Sequence, residues 1–324
     1  MTGTHRVIIQ NKRIRFEFEI QRNITIIRGD SATGKTTLVD MIQEYMNLGS
    51  ASMINFSCDK KCVTIAGVTW ESQLSEFDDS IVFIDEGNDF VLTDHFASVI
   101  QNTNNYYVIV SREGLPNLPY SVEEIYGIHM SGRYGELRQC YQEFYRIYNI
   151  SSTSKEVAPR IVMTEDSNSG YEFFAAVCEE AHIKCISAFG KSNVIHKLSE
   201  EPKEQEVLVI VDGAAFGSEI DKVVKYIKNK KNIKLYVPES FEWIILKSGV
   251  IDDREVAEIL LAPSEHIDSE RYFSWERFFT QLLADKTQGS YLKYSKSKIN
   301  KAYTSEKIRK EILAVMENIC LESE

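Results

Sequence analysis

The sequence predicts an α/β protein built around two sheets. Short apolar runs of four or five residues recur between helical stretches. A Ser/Thr-rich segment near residue 150 interrupts this pattern, and beyond it the alternation of strands and helices begins again. Apolar runs of that length, bounded by polar turns, are the pattern of strands buried beneath helices. The expected organisation is an α/β domain over 1–148, a linker over 149–158, a second α/β domain over 159–262 and a helical region over 263–324.

The elements follow in chain order. Ile14, Phe16, Phe18 and Ile20 alternate with Arg15, Glu17 and Glu19, the period of a half-buried strand. Val7 to Ile9 lie before a short Asn11-Lys12 turn, so the chain opens with a hairpin. Ile24 to Ile27 form a buried strand that runs into a glycine-containing turn, and Thr36 to Met46 read as a helix. Further strands fall at Met53–Phe56, Val63–Ile65, Ile81–Ile84 and Tyr106–Val110. The linker, rich in Ser and Thr and closed by Pro159, precedes strands at Ile161–Met163, Cys185–Ser187, Val207–Val211 and Lys234–Val237. From Ser269 the chain reads as mainly helical, with Trp275, Phe278, Phe279 and Leu282 at helical spacing, a stripe that belongs to a core.

Composition narrows the function. With 324 residues, 43% of them hydrophobic and 26% charged, the chain has material for two cores. It contains no run of eighteen apolar residues and no charged-then-apolar leader, so no membrane association and a cytoplasmic location are expected. The six cysteines are scattered without a C-x-x-C pair, which reads as reduced structural thiols. A formal net charge of -11 excludes a generally basic nucleic-acid binder. Two local basic stretches remain. One runs from Lys222 to Lys234, and the other interleaves Lys293, Lys296, Lys298 and Lys301 with Tyr291, Tyr294 and Tyr303. Each is either a solvated helix face or a phosphate-tracking surface with aromatics for stacking.

The most informative motif is Gly29-Asp30-Ser31-Ala32-Thr33-Gly34-Lys35-Thr36, which satisfies G-x-x-x-x-G-K-[ST] between a strand and a helix. Its glycines let the loop curl so that successive N–H groups converge on phosphate oxygens at the positive end of a helix. Lys35 would reach the β- and γ-phosphates of ATP. Thr36 would place its hydroxyl on Mg²⁺, and Thr37 follows in the first helical turn. Asp85 and Glu86 emerge from the Ile81–Ile84 strand. In this division of labour Asp85 holds the metal or its water, and Glu86 polarises the attacking water. Ser111 ends the neighbouring strand, placed to sense the γ-phosphate, and Arg112 either stabilises transition-state charge or forms a structural ion pair.

This N-terminal part resembles the ABC/AAA-type ATPases of the P-loop class, with an opening hairpin, a Walker A motif at Gly29–Thr36 and a Walker B motif at Ile81–Glu86. No Leu-Ser-Gly-Gly-Gln-like stretch is present.

In the second half, Ile161-Val-Met-Thr-Glu165-Asp166 places carboxylates at a strand end. Val207-Leu-Val-Ile-Val211 then runs into Asp212-Gly-Ala214-Ala-Phe-Gly217. This order resembles the Toprim domain of topoisomerases, primases and the overcoming-lysogenization-defect (OLD) nucleases. The resemblance implies that Glu165 and Asp212 hold Mg²⁺ for phosphodiester chemistry, with Gly217 as the motif glycine. Ala214 stands where the family has a second aspartate. Asp166, Glu219 and Asp221 are the nearby carboxylates that could stand in, and Ala214→Asp would restore the ligand if the loop had the family geometry.

OLD-type proteins join a P-loop ATPase to a Toprim nuclease in the same order. The resemblance therefore implies an ATP-hydrolysing switch coupled to a unit that acts on or senses nucleic acid, in prokaryotic defence or DNA processing. The alternative is a nucleotide-regulated scaffold whose second domain is catalytically inactive and binds a protein partner subunit. Either is compatible with self-association.

Overall fold

The computed structural model describes residues 1–29, 34–131, 139–149 and 156–321. By its contacts the chain forms two compact units. The first comprises Met1–Asn149 together with Ala262–Ser274, and the second Ile150–Leu261 together with Trp275–Glu324. The region 263–324, expected as one helical piece, is thus shared between the units. No helix among the described residues is long and apolar enough to cross a membrane, and no disulfide joins the six cysteines.

Unit 1 is a mixed nine-stranded sheet. Its strands are β1 (His5–Gln10), β2 (Ile14–Ile20), β3 (Ile24–Arg28), β4 (Asn55–Ser57), β5 (Lys61–Thr64), β6 (Ser80–Ile84), β7 (Tyr106–Val110), β8 (Ile125–Ser131) and β9 (Cys140–Arg146), in the order β4-β1-β2-β9-β8-β3-β7-β6-β5. β1 and β2 form the expected hairpin, with Val7 opposite Phe18 and Ile9 opposite Phe16. β3, β6 and β7 are buried along their whole length and lie parallel, which explains why they read as continuous apolar runs rather than alternations.

The helices of unit 1 are α1 (Lys35–Leu48), α2 (Trp70–Leu74) and α3 (Asp94–Ile100). α1 buries Leu38, Val39, Met41 and Ile42 in one cluster with Phe16, Phe18, Ile27, Phe83 and Val108. Each such side chain contributes about 1.5–3 kcal/mol on leaving water, enough to fix the face the helix presents. A second aromatic group, with Trp70 stacked on Phe90 and edge-on to Phe96, anchors α2 and α3. The segment 262–274 is tied into this unit through the chain start. Gly3 N donates to Ser264 O at 2.7 Å and Ser269 N to Met1 O at 2.9 Å, while the Met1 ammonium lies 3.1 Å from Asp268.

Unit 2 has a parallel four-stranded sheet of β10 (Ile161–Thr164), β11 (Lys184–Ser187), β12 (Val207–Ile210) and β13 (Ile233–Tyr236), in the order β11-β10-β12-β13. α4 (Ser169–Glu180), α5 (Val194–Glu200) and α6 (Gly217–Ile227) connect these strands. They are followed by α7 (Phe241–Lys247), α8 (Arg254–Leu261), α9 (Trp275–Thr287) and α10 (Glu306–Leu313). On α9 the apolar stripe is seated through Trp275, Phe278, Phe279 and Leu283, with Leu282 only half-buried.

Candidate functional site

Three strand ends in unit 1 bring the motif residues to one edge of the sheet. β7 lies between β3 and β6, and all three are parallel. The turn after β3 and the carboxylates after β6 are therefore two strand spacings apart, about 10 Å, with Ser111 in the gap. Gly29 and Gly34 have φ of 130° and 90°, a region that glycine enters without cost and other residues avoid. Gly34 caps α1 in this left-handed conformation, and its carbonyl accepts from Leu38 N at 2.9 Å. Asp30, Ser31, Ala32 and Thr33 lie outside the described residues.

Lys35 is only 5% exposed, and its Nζ donates to Gly29 O at 2.6 Å. The ammonium is thus folded against the loop that the motif assigns to phosphate. Thr36 and Thr37 are exposed in the first turn of α1, where the helix dipole is positive. On the same edge Asp85 Oδ1 is buried and has no hydrogen-bond partner among the described residues. A buried carboxylate oxygen in that state costs stability until a donor or cation meets it. Thr36 and Asp85 are hard oxygen donors of the kind Mg²⁺ takes, so this residue set fits the ion that the motif implies.

Glu86 and Arg112 form an ion pair, Nε to Oε1 at 2.6 Å, with both side chains partly exposed. Of the two sequence readings of Arg112, the structure displays the ion pair, made with the residue expected to polarise water. The Ser111 hydroxyl closes its own turn, donating to Glu113 O at 2.9 Å. One neighbour of the loop had no sequence motif to mark it. Gln142 on β9 is buried with Oε1 unpartnered among the described residues, and it lies near Gly34.

Unit 2 builds a second strand-end constellation. From β10 the chain goes to β11 on one side, whereas from β12 it goes to β13 on the other. The gap between β10 and β12 is the topological switch point where α/β sheets form a crevice. Glu165 follows β10 and Asp212 follows β12, and the structure brings them together, with Asp212 N donating to Glu165 Oε2 at 3.1 Å. They line a small pocket with Asp166, Ser169, Glu242 and Lys296. Its free volume of about 20 Å³ admits roughly one water.

Lys296 dominates the charge of this pocket. Its Nζ lies 2.8 Å from Glu276, 3.3 Å from Glu242 and 3.9 Å from Asp212. Burial would lower its pKa, but the carboxylates of Asp212, Glu242 and Glu276 outweigh burial and hold it above the ordinary lysine value. Burial, with Glu276 adding to it, pushes Glu165 up to about 7, and the same two causes raise Asp212 well above its ordinary range.

Ala214 is 2% exposed and does not line the pocket. An aspartate at that position would be placed at a buried site outside the pocket lining. Glu219 pairs with Lys222 at 3.0 Å, and Asp166 Oδ2 accepts from Asn168 at 2.7 Å. Asp166 lines the pocket with Glu165 and Asp212, and two carboxylates distant in sequence, Glu242 and Glu276, join them through Lys296. Among the described residues no three His, Cys, Asp or Glu side chains are placed to hold a metal together. With an ammonium at the carboxylates, the Mg²⁺ role implied for Glu165 and Asp212 does not fit this arrangement.

The tyrosines of the second basic stretch are also accounted for. Tyr294 and Tyr303 are buried, with their hydroxyls donating to Glu242 Oε1 at 2.7 Å and Leu292 O at 2.6 Å. Neither is available to stack on a base, and only Tyr291 of the three is well exposed. Compared with known proteins, the chain matches no family model and no curated sequence.

Proposed function

We propose that unit 1 binds ATP with Mg²⁺ and hydrolyses it, and that unit 2 responds to the nucleotide state as a partner-binding module rather than as a metal-dependent nuclease. The observation that carries the first half is the shared sheet edge. The residues flanking the G-x-x-x-x-G-K-T loop, Gly29 after β3 and Lys35 and Thr36 at the start of α1, share this edge with the Asp85-Glu86 strand end, one strand intervening. The orphaned Asp85 Oδ1 supports it further.

In this reading the loop N–H groups and Lys35 hold the β- and γ-phosphates, and Thr36 and Asp85 hold the cation. Mg²⁺, when bound, neutralises charge on the phosphate oxygens. Glu86 orients a water and accepts its proton. Because Glu86 Oε1 is engaged by Arg112, that ion pair must open, or turn toward the phosphates, before Glu86 can act.

Equilibrium binding of a fluorescent ATP analogue and a phosphate-release assay, each with and without Mg²⁺, test this half. Absence of Mg²⁺-dependent binding by the intact chain would remove it. For unit 2, the specific observation is Lys296 among the carboxylates. The rival reading, action on nucleic acid in defence or DNA processing, requires divalent-dependent nicking of plasmid DNA that is lost in Glu165→Gln. Such nicking would restore the nuclease reading.

A further inference from the structure

The carboxylate pocket of unit 2 has the position of a metal site and the contents of an ion pair. Three acidic side chains, Asp212, Glu242 and Glu276, surround one ammonium at the switch point of a parallel sheet, and Glu165 lines the same pocket. Such a gathering of like charges is unstable unless a cation or protons neutralise it.

The lysine is held there by the fold, not by chance reach. Its own carbonyl accepts from Ser169 N at 3.0 Å, the first residue of α4. Tyr294, two residues earlier, ties the same loop to Glu242 and to Ser169 Oγ at 2.7 and 2.6 Å. The backbone on both sides of the side chain is thus anchored to the pocket wall, and Lys296 remains only 31% exposed.

We propose that Lys296 is a tethered counter-cation for Asp212, Glu242 and Glu276, its ammonium keeping divalent ions out of this strand-end pocket. The wild-type pocket then takes up no divalent ion, and removal of the lysine charge leaves the three carboxylates to close around one. This inference is independent of the nucleotide reading of unit 1. It has the geometric support given above, and the raised pKa values of Glu165 and Asp212 agree with a pocket neutralised by one ammonium and by protons.

The test is Mn²⁺ titration of the full chain at pH 8 without nucleotide, followed by electron paramagnetic resonance of free Mn²⁺. Five forms are compared: wild type, Asp212→Asn, Lys296→Met, Lys296→Arg and the double variant Lys296→Met/Asp212→Asn. Subtracting each Asn form from its Asp partner isolates this pocket from Asp85 and from surface carboxylates. Wild type and Asp212→Asn should titrate alike, as should Lys296→Arg. Lys296→Met should bind one additional Mn²⁺, at least about tenfold tighter than any wild-type binding here, since one unit charge is removed within a few ångströms. The double variant should lose that ion.

A wild-type ion that disappears in Asp212→Asn overturns the proposal. So does a folded Lys296→Met that binds no more Mn²⁺ than the double variant. If Lys296→Met does not fold, Mn²⁺-dependent recovery of its circular dichroism supports the proposal, and failure of millimolar Mn²⁺ to restore it counts against it.

Discussion

The two units place acidic residues at the ends of parallel strands in the same way, yet the two sites differ in what meets the charge. In unit 1, Asp85 leaves a buried oxygen without a partner among the described residues, and Glu86 pairs with a partly exposed arginine. In unit 2, Asp212 sits beside Lys296 in a pocket that Glu165 also lines, with room for one water. The first arrangement leaves a buried acceptor open to a donor or cation. The second already holds a cation of its own. Strand-end carboxylates alone therefore do not define a metal site, because the nearest cation decides what they can bind.

The sharpest break of this comparison is expected at Lys35. Removing its ammonium in Lys35→Ala takes away the cation proposed to meet the phosphates, an expected loss of about 2–5 kcal/mol for a buried charge pair, or roughly 30- to several-thousand-fold in ATP affinity. Equilibrium binding of a fluorescent ATP analogue measures it. Unchanged affinity would show that the loop does not cradle phosphate.

Glu86→Gln should come next, lowering turnover by about 10²–10⁴-fold with ATP affinity retained, since only proton acceptance is lost. Wild-type turnover in that variant would remove Glu86 from the chemistry.

Unit 2 responds to pH with a definite sign. Burial lifts Glu165 from 4.5 to about 7, so its folded form prefers the proton. Its contribution is fully present below pH 4.5 and is lost as pH rises through about 7, a difference of the order of 3 kcal/mol. Urea unfolding at pH 5 and pH 8 should show this fall, and Glu165→Gln should flatten it. Equal slopes in the two proteins would mean that Glu165 is ionised without penalty.

The smallest effect belongs to Arg112→Ala. Its pair with Glu86 is partly exposed and contributes about 0.2–1 kcal/mol, so freeing Glu86 should raise turnover by less than about fivefold. A fall of more than tenfold would instead make Arg112 a stabiliser of transition-state charge.

Much of the fold was legible because its determinants are local. The runs Ile24–Ile27, Ile81–Ile84 and Tyr106–Val110 are apolar at every position because those strands are buried on both faces. The glycine, lysine and threonine of the nucleotide motif are likewise set by the backbone of one turn. Two strands escaped this kind of reading. β8 and β9 mix polar and aromatic residues without a clean period, and partners far away in sequence define them: β9 pairs with β2 and β8 with β3. Gly127 within β8 reads as a breaker, yet it lies opposite Tyr145, whose ring occupies the space a Cβ would need.

By itself, then, the amino-acid sequence determined the strand–helix alternation, the Gly29–Thr36 motif between a strand and a helix, and the carboxylates at the strand ends, all properties of short segments. Tertiary structure alone decided the strand order that sets Asp85 across from the loop and the return of 262–274 to the first unit. It also delivered Lys296 to acids twenty, fifty-four and eighty-four residues away, Glu276, Glu242 and Asp212. The reason is physical: electrostatic neutralisation depends on distance in space, and sequence separation carries no record of it until the chain has folded.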